Sequence, residues 1–314
     1  MVSIHGFTNF IKNINPFKER KNNSKIEYVI QKILAFFIIY LTSAVVMEGI
    51  IILVFTIMGY DPLHGEMPAG NIVELIPFYG FIGFGIMTIL YVKLIEKQNL
   101  SGITGQLNER TVYRFIKNFI YGGFLTGVVV ILLWITGNYT FSGFGKPDNI
   151  LLMGLPAYVI QGTAEELMCR GFFYHALNRR IDRKFAIIIS TLVFILPHLS
   201  SLNWDDGILA IIEIINLVLV SILFSLAMIN DGTLFSACGL HTGWNFVLAF
   251  VFGLQVSGGE TKEGLIQFVV NGRNYITGSN YGIEASVVLI PILFILNVIY
   301  FNRINRKQGK YGVQ

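Results

Sequence analysis

Eight long apolar runs decide what this chain can fold into. They lie at about 33–58, 75–95, 118–137, 150–177, 185–202, 208–229, 234–254 and 285–301, each near or above the ~20 residues an α-helix needs to cross the hydrocarbon of a bilayer. With 54% hydrophobic and 13% charged residues among 314, the chain has too little polar surface to coat a soluble globule of its size. The expected fold is all-α: a polytopic membrane bundle of about eight transmembrane helices.

Basic residues set the expected orientation, because loops rich in Lys and Arg stay in the cytoplasm. Lys12, Lys18, Arg20, Lys21 and Lys25 precede the first run; Lys93, Lys97, Arg110, Arg114 and Lys117 follow the second; Arg179, Arg180, Arg183 and Lys184 follow the fourth; Arg303, Arg306, Lys307 and Lys310 follow the eighth. An even number of spans brings these segments to one side, with both termini cytoplasmic. The opposite loops hold only Lys146, Lys262 and Arg273 among several acids. The net charge of +4 is thus a topology signal, and its dispersal over four segments gives no nucleic-acid stripe.

The expected division is a cytoplasmic tail at 1–28, one membrane domain at 29–302 and a second cytoplasmic tail at 303–314. No secretory leader is expected at the N-terminus, which lacks a short apolar core and a small-residue cleavage site. No internal repeat of 20–50 residues occurs. Residues 103–118 suit either an interfacial helix on the cytoplasmic leaflet or an extension of the third span. The Gly- and Asn-rich stretch 255–284 suits a re-entrant cap or a disordered loop. Cys169 and Cys238 both fall within spans and are expected to pack, not to form a disulfide. His5, His64 and His175 have no partner at ligand spacing and are expected to be solvated.

Charge inside a span is costly, about 2.5–3.5 kcal/mol per residue at a helix centre on an insertion scale, and marks function by default. Three clusters stand out: Glu165-Glu166 with Arg170 in the fourth run, Phe194 with His198 in the fifth, and His241 with Asn245 in the seventh. Residues four apart share a helix face, so Glu166 pairs with Arg170 and Glu165 is left over. Glu165 lies 14 residues before Arg179, and His198 14 residues after Lys184. At ~1.5 Å per residue both sit about 20 Å from the basic border. Asn245, 14 residues after Asp231, reaches the same level. A carboxylate beside an imidazole can hold and deprotonate a water, and a second imidazole with an amide can stabilise an oxyanion. Together they describe amide hydrolysis.

The ordered set Glu165-Glu166-x-x-x-Arg170, Phe194-x-x-x-His198 and His241-x-x-x-Asn245 resembles the three-motif pattern of the CPBP intramembrane proteases. That family includes the CAAX prenyl endopeptidases of type II and the Abi-like bacteriocin-processing proteins. The similarity runs over about 110–300, including Asp231-Gly-Thr-Leu and Thr277-Gly through Glu284-Ala-Ser, while residues 1–100 match nothing in the family core. The resemblance implies an eight-helix core with a cavity opening to the cytosol. It further implies Glu165 and His198 as activators of water, His241 and Asn245 as the oxyanion site, Glu166 and Arg170 as orienting residues, and Phe194 as a wall of the cavity.

The function expected is therefore an intramembrane endopeptidase of the bacterial plasma membrane, cutting near the cytoplasmic side. Its partners would be the bilayer and a membrane-associated or lipidated peptide, with prenylated, bacteriocin-type and pheromone-type peptides as candidates. A metal-free mechanism is favoured. Zinc held by Glu165, His198 and His241 is the alternative, since two imidazoles and a carboxylate form a hydrolytic zinc set. Competing functions are a non-catalytic scaffold or immunity factor and, less favoured, a proton-coupled transporter. Glu48 and Glu213, the other acids within spans, are expected to pack or to meet water.

Overall fold

The computed structural model describes residues 4–18, 22–68, 70, 73–146, 149–202, 204–259, 263–272 and 274–311. Arg20, Lys21, Lys262 and Arg273, used above to orient the chain, lie outside the described residues, as does the side chain of His5. Every apolar run is helical. A short α1 (Ile4–Asn13) precedes α2 (Lys25–Ile57) and α3 (Ile76–Leu94). The one-turn α4 (Ser101–Thr104) leads into α5 (Glu109–Ile135) and strand β1 (Tyr139–Phe144). Next, α6 (Asn149–Glu166) continues through a π-helical stretch, Leu167–Tyr174, into α7 (His175–Asn178). Then come α8 (Arg183–His198), α9 (Gly207–Asp231) and α10 (Phe235–Phe246), the last extended by a second π stretch, Val247–Val251. Strand β2 (Ile266–Val270) and α11 (Leu289–Tyr311) complete the order.

Among the described residues, four segments are long and apolar enough to cross a membrane by themselves: Lys25–Ile57, Val73–Leu94, Ser101–Ile135 and Gly207–Asp231. The other four expected spans are helices of a different kind. The fourth run carries Glu165, Glu166 and Arg170 and changes to π geometry, α8 is only 16 residues long, α10 only 12, and α11 ends in Arg303, Arg306 and Lys307. Such helices reach membrane depth by packing on their neighbours, and the whole is an all-α membrane bundle.

Polar caps fix where helices begin. Ser24 and Glu27 form a capping box at α2, and the Asn108 side chain accepts from Thr111 N at α5. The second cap answers one open question: Arg110, Arg114 and Lys117 ride on the first turns of the third membrane helix, as its extension. At α8 and α9 the caps are Asp182 and Asp206.

Contacts between helix ends define two ends of the bundle. At one, Lys32 and Arg179 both bond to Glu96, Leu234 N donates to Thr104 O at 3.1 Å, and Lys307 Nζ donates to Asn230 O at 2.7 Å. Here too the N-terminal segment docks, with Gln31 Nε2 donating to the carbonyls of Asn15 and Lys18. Every described Lys and Arg lies at this basic end except Arg170 and Lys146. At the other end, β1 pairs antiparallel with β2, a ribbon that the apolar pattern did not announce. Asn216 Nδ2 donates to Glu284 O and Ser286 O, both at 2.9 Å, so the described part of 255–284 is a folded cap.

The closest helix contact joins α5 to α10. A Cβ on Gly239 would stand 2.2 Å from Phe115 O, and one on Gly243 2.0 Å from Phe119 O. Small residues four apart let two membrane helices touch backbone to backbone. Gly243→Leu is expected to destabilise the protein by more than the ~1–3 kcal/mol of ordinary overpacking, because the obstacle is backbone. Thermal unfolding in detergent measures it.

Candidate active site

The fourth, fifth and seventh runs meet around one cavity of about 200 Å³. Its walls include Gln161 and Glu165 from α6, Phe194 and His198 from α8, His241, Trp244 and Asn245 from α10, and Glu284 from the cap. All four residues expected to carry chemistry, Glu165, His198, His241 and Asn245, therefore face the same space. The equality of depth inferred from the basic borders is realised in three dimensions.

Close approach of α6 to α10 sets the spacing. A Cβ on Gly162 would lie 2.9 Å from Thr242 Oγ1, so only glycine lets the two helices meet at this level. One turn on, Glu165 Oε2 lies 3.9 Å from His241 Nε2. That oxygen is buried and has no hydrogen-bond partner, which leaves it able to accept from a water. Glu165 Oε1 accepts from Gln161 Nε2 at 2.8 Å, and Gln161 Oε1 accepts from Asn245 Nδ2 at 3.1 Å. Gln161 thus ties the acid to the amide. It escaped the sequence reading, although its place four residues before Glu165, on the same face, was a usable signal.

The imidazoles are held in defined tautomers. His198 Nδ1 is 2.9 Å from Phe194 O, and a carbonyl only accepts, so Nδ1 carries the proton and Nε2 keeps a lone pair. His241 Nδ1 donates to Glu166 Oε1 at 3.0 Å, leaving Nε2 toward Glu165. The imidazole next to Glu165 is accordingly His241.

Beneath the cavity Glu166 and Arg170 are fully buried and paired, with Nη1 to Oε1 at 2.9 Å. Arg170 Nη2 also donates to Ser221 O at 3.0 Å and to Ser221 Oγ at 2.6 Å. Its guanidinium carbon lies 4.4 Å from the Phe194 ring centre and 5.5 Å from that of Phe224. Phe224 stacks on His241 at 4.9 Å, and Phe194 lies 4.8 Å from the His198 ring. The pair therefore does more than orient α6: through Glu166 and the two phenylalanines it supports both imidazoles. The π stretch beginning at Leu167 is the kind of widened turn that recurs at functional sites. Just after it, His175 Nδ1 donates to Arg170 O at 2.7 Å, so His175 is hydrogen-bonded to the bundle and not simply solvated.

Glu284 also enters the cavity wall. Trp244 Nε1 donates to Glu284 Oε1 at 2.9 Å and Ser257 N donates to Oε2, which pins the cap to α10. Glu48 is exposed on α2 and Glu213 is buried on α9; neither lines the cavity. Cys169 and Cys238 are buried free thiols.

Residues 147–247 match the model of a family described as type II CAAX prenyl endopeptidase Rce1-like. All three motifs lie inside that match, which supports the resemblance to the CPBP intramembrane proteases. The matched stretch is narrower than the 110–300 span of the resemblance. No curated protein matches the chain.

Removing one partner of a buried ion pair strands the other. Arg170→Leu is expected to cost about 3–5 kcal/mol of stability, read by thermal or denaturant unfolding, with part recovered in the Glu166→Leu/Arg170→Leu double variant.

Proposed function

We propose that this protein is an intramembrane endopeptidase that hydrolyses a peptide bond with a water activated by Glu165 and His198. One observation carries the reading: a carboxylate with an unpartnered buried oxygen, two imidazoles and an amide converge from α6, α8 and α10 on a single cavity. The Rce1-like match over the same residues supports it.

The side chains suggest a sequence of steps. Water seated between Glu165 Oε2 and His198 Nε2 gives a proton to Glu165 as its oxygen adds to the scissile carbonyl carbon. The oxyanion that forms faces Asn245 Nδ2 and His241, which donates from Nε2 when protonated there. Collapse of the adduct breaks the C–N bond, and the proton held by Glu165 passes to the leaving nitrogen. Gln161 keeps Glu165 and Asn245 in register, and Glu166 keeps His241 turned.

As to zinc, Glu165, His198 and His241 do share the cavity. Among the described residues, however, no three His, Cys, Asp or Glu side chains form a group able to hold a metal ion. The chemistry proposed here uses the side chains and water, and metal analysis of chelator-washed protein alongside activity tests the zinc alternative.

Glu165→Gln and His198→Ala are each expected to lower turnover by about 10²–10⁴-fold, the usual weight of a general base. Asn245→Ala is expected to lower it about 10²–10³-fold, as an oxyanion donor does. Glu48→Ala, away from the cavity, should leave it unchanged. Quantitative peptidomics of membranes from cells expressing each variant at equal level reads the loss of a cleavage product and names the substrate. Unaltered peptides and phenotype in all of them would point to a scaffold or immunity factor.

A further inference from the structure

The cavity sits at the wrong end of the bundle for a cytoplasmic opening. Glu165 and His198 each lie 14 residues from their basic border. At ~1.5 Å per residue that is about 21 Å, which leaves only about 9 Å of a ~30 Å hydrocarbon core on the far side. His198 is the last residue of α8. It is partly exposed, and Ser200 and Ser201 beyond it are exposed. The remaining wall of the cavity includes Val256, Ser257 and Glu284 from the cap at the same end.

In the opposite direction the way is packed shut. Arg170 is fully buried, as are Phe172, Phe173, Ala237 and Cys238, with Met168 and Leu240 no more than 5% exposed. These side chains lie between the cavity and the basic end. A water or a peptide reaching Glu165 from that end would have to cross the bundle's core.

Charge says which end faces the cytoplasm. Among the described Lys and Arg, Lys146 lies toward the cavity's end, where Asp61, Glu66, Glu74, Asp205, Asp206 and Glu263 are also found. Two tryptophans, Trp134 near the end of α5 and Trp204 after His198, are exposed at this end, as in the aromatic belt of a membrane interface. The basic end is the cytoplasmic one by the positive-inside rule.

We infer that the cavity opens on the extracytoplasmic side, and that it receives an apolar peptide segment presented from the outer leaflet. The second half rests on the endopeptidase reading; the first does not. A chain that has crossed the membrane, or whose spanning segment ends near the outer surface, meets this requirement, whereas a prenylated protein anchored in the cytoplasmic leaflet does not. The cavity wall supports the apolar choice: it carries the carboxylates of Glu165 and Glu284, no Lys or Arg, and a majority of apolar side chains. An acidic segment would meet like charge there. This orientation is the opposite of the cytosolic opening that the family resemblance implies.

Cysteine labelling in whole cells tests it. Cys169 and Cys238 are buried, so the unmodified protein is the blank. Ser200→Cys and Asp205→Cys report on the cavity's end, Asn178→Cys and Asn302→Cys on the basic end; all four positions are exposed. With a membrane-impermeant maleimide, the first two are expected to label in intact cells as fully as after permeabilisation, and the second two only after permeabilisation. The reverse pattern overturns the inference. Green fluorescent protein fused after α11 gives an independent reading should a cysteine variant fail to fold: fluorescence supports a cytoplasmic basic end, and a dark, full-length fusion overturns it. Labelling needs no turnover. The expected pattern together with no cleavage product lost in Glu165→Gln would defeat the endopeptidase reading while leaving the orientation standing.

Discussion

One carboxylate oxygen supports the whole site. Glu166 Oε1 accepts from Arg170 Nη1 at 2.9 Å and from His241 Nδ1 at 3.0 Å, so it joins the charge buried in α6 to the imidazole of α10. A buried charge pair is favourable only when further hydrogen bonds offset its desolvation. Ser221 accepts from Arg170 Nη2 and the faces of Phe194 and Phe224 pack on the guanidinium, while Arg170 Nε and Glu166 Oε2 have no hydrogen-bond partner. Through those rings the same charge also braces His198 and His241. Stability and site geometry are thus two aspects of one network, and α6, α8, α9 and α10 each contribute to it.

That network tolerates little error in helix spacing, and the spacing is set by glycine. Gly239 and Gly243 bring α10 onto the backbone of α5, while Gly162 brings α6 onto Thr242. On α10 the face of Gly239 and Gly243 lies roughly opposite the one that carries His241 and Asn245, with Thr242 between them. Thr126 Oγ1 donates to Trp244 O at 3.3 Å across the same interface. Directly after the motif residues, both α6 and α10 widen into π turns. On α6 the widened stretch includes Arg170 itself.

The cap at the far end completes the cavity without belonging to the motif helices. Glu284 holds Trp244 and Ser257, and Asn216 of α9 holds the cap's backbone in turn. A substrate seated against Glu165 would therefore touch residues from the cap as well as from the three motifs. On the other side of the cavity lies the packed core around Arg170, Phe172 and Cys238.

Much of this was legible in the sequence. Apolar runs of membrane length announced the helices, because lipid leaves a chain few other choices. Counting residues from basic borders placed Glu165, His198 and Asn245 at one level, because the helical rise is constant. The ordered motifs carried the resemblance that the match over 147–247 supports. What stayed hidden were contacts between helices: His241 as the neighbour of Glu165, Glu166 as the partner of His241, Gln161 bridging Glu165 to Asn245, Glu284 reaching in from the cap, and the β1–β2 ribbon. Spacing along one helix fixes which residues share a face and how deep they lie. Which face meets which neighbour depends on rotation about the helix axis and on how closely two helices approach, and only the packed tertiary structure decides that.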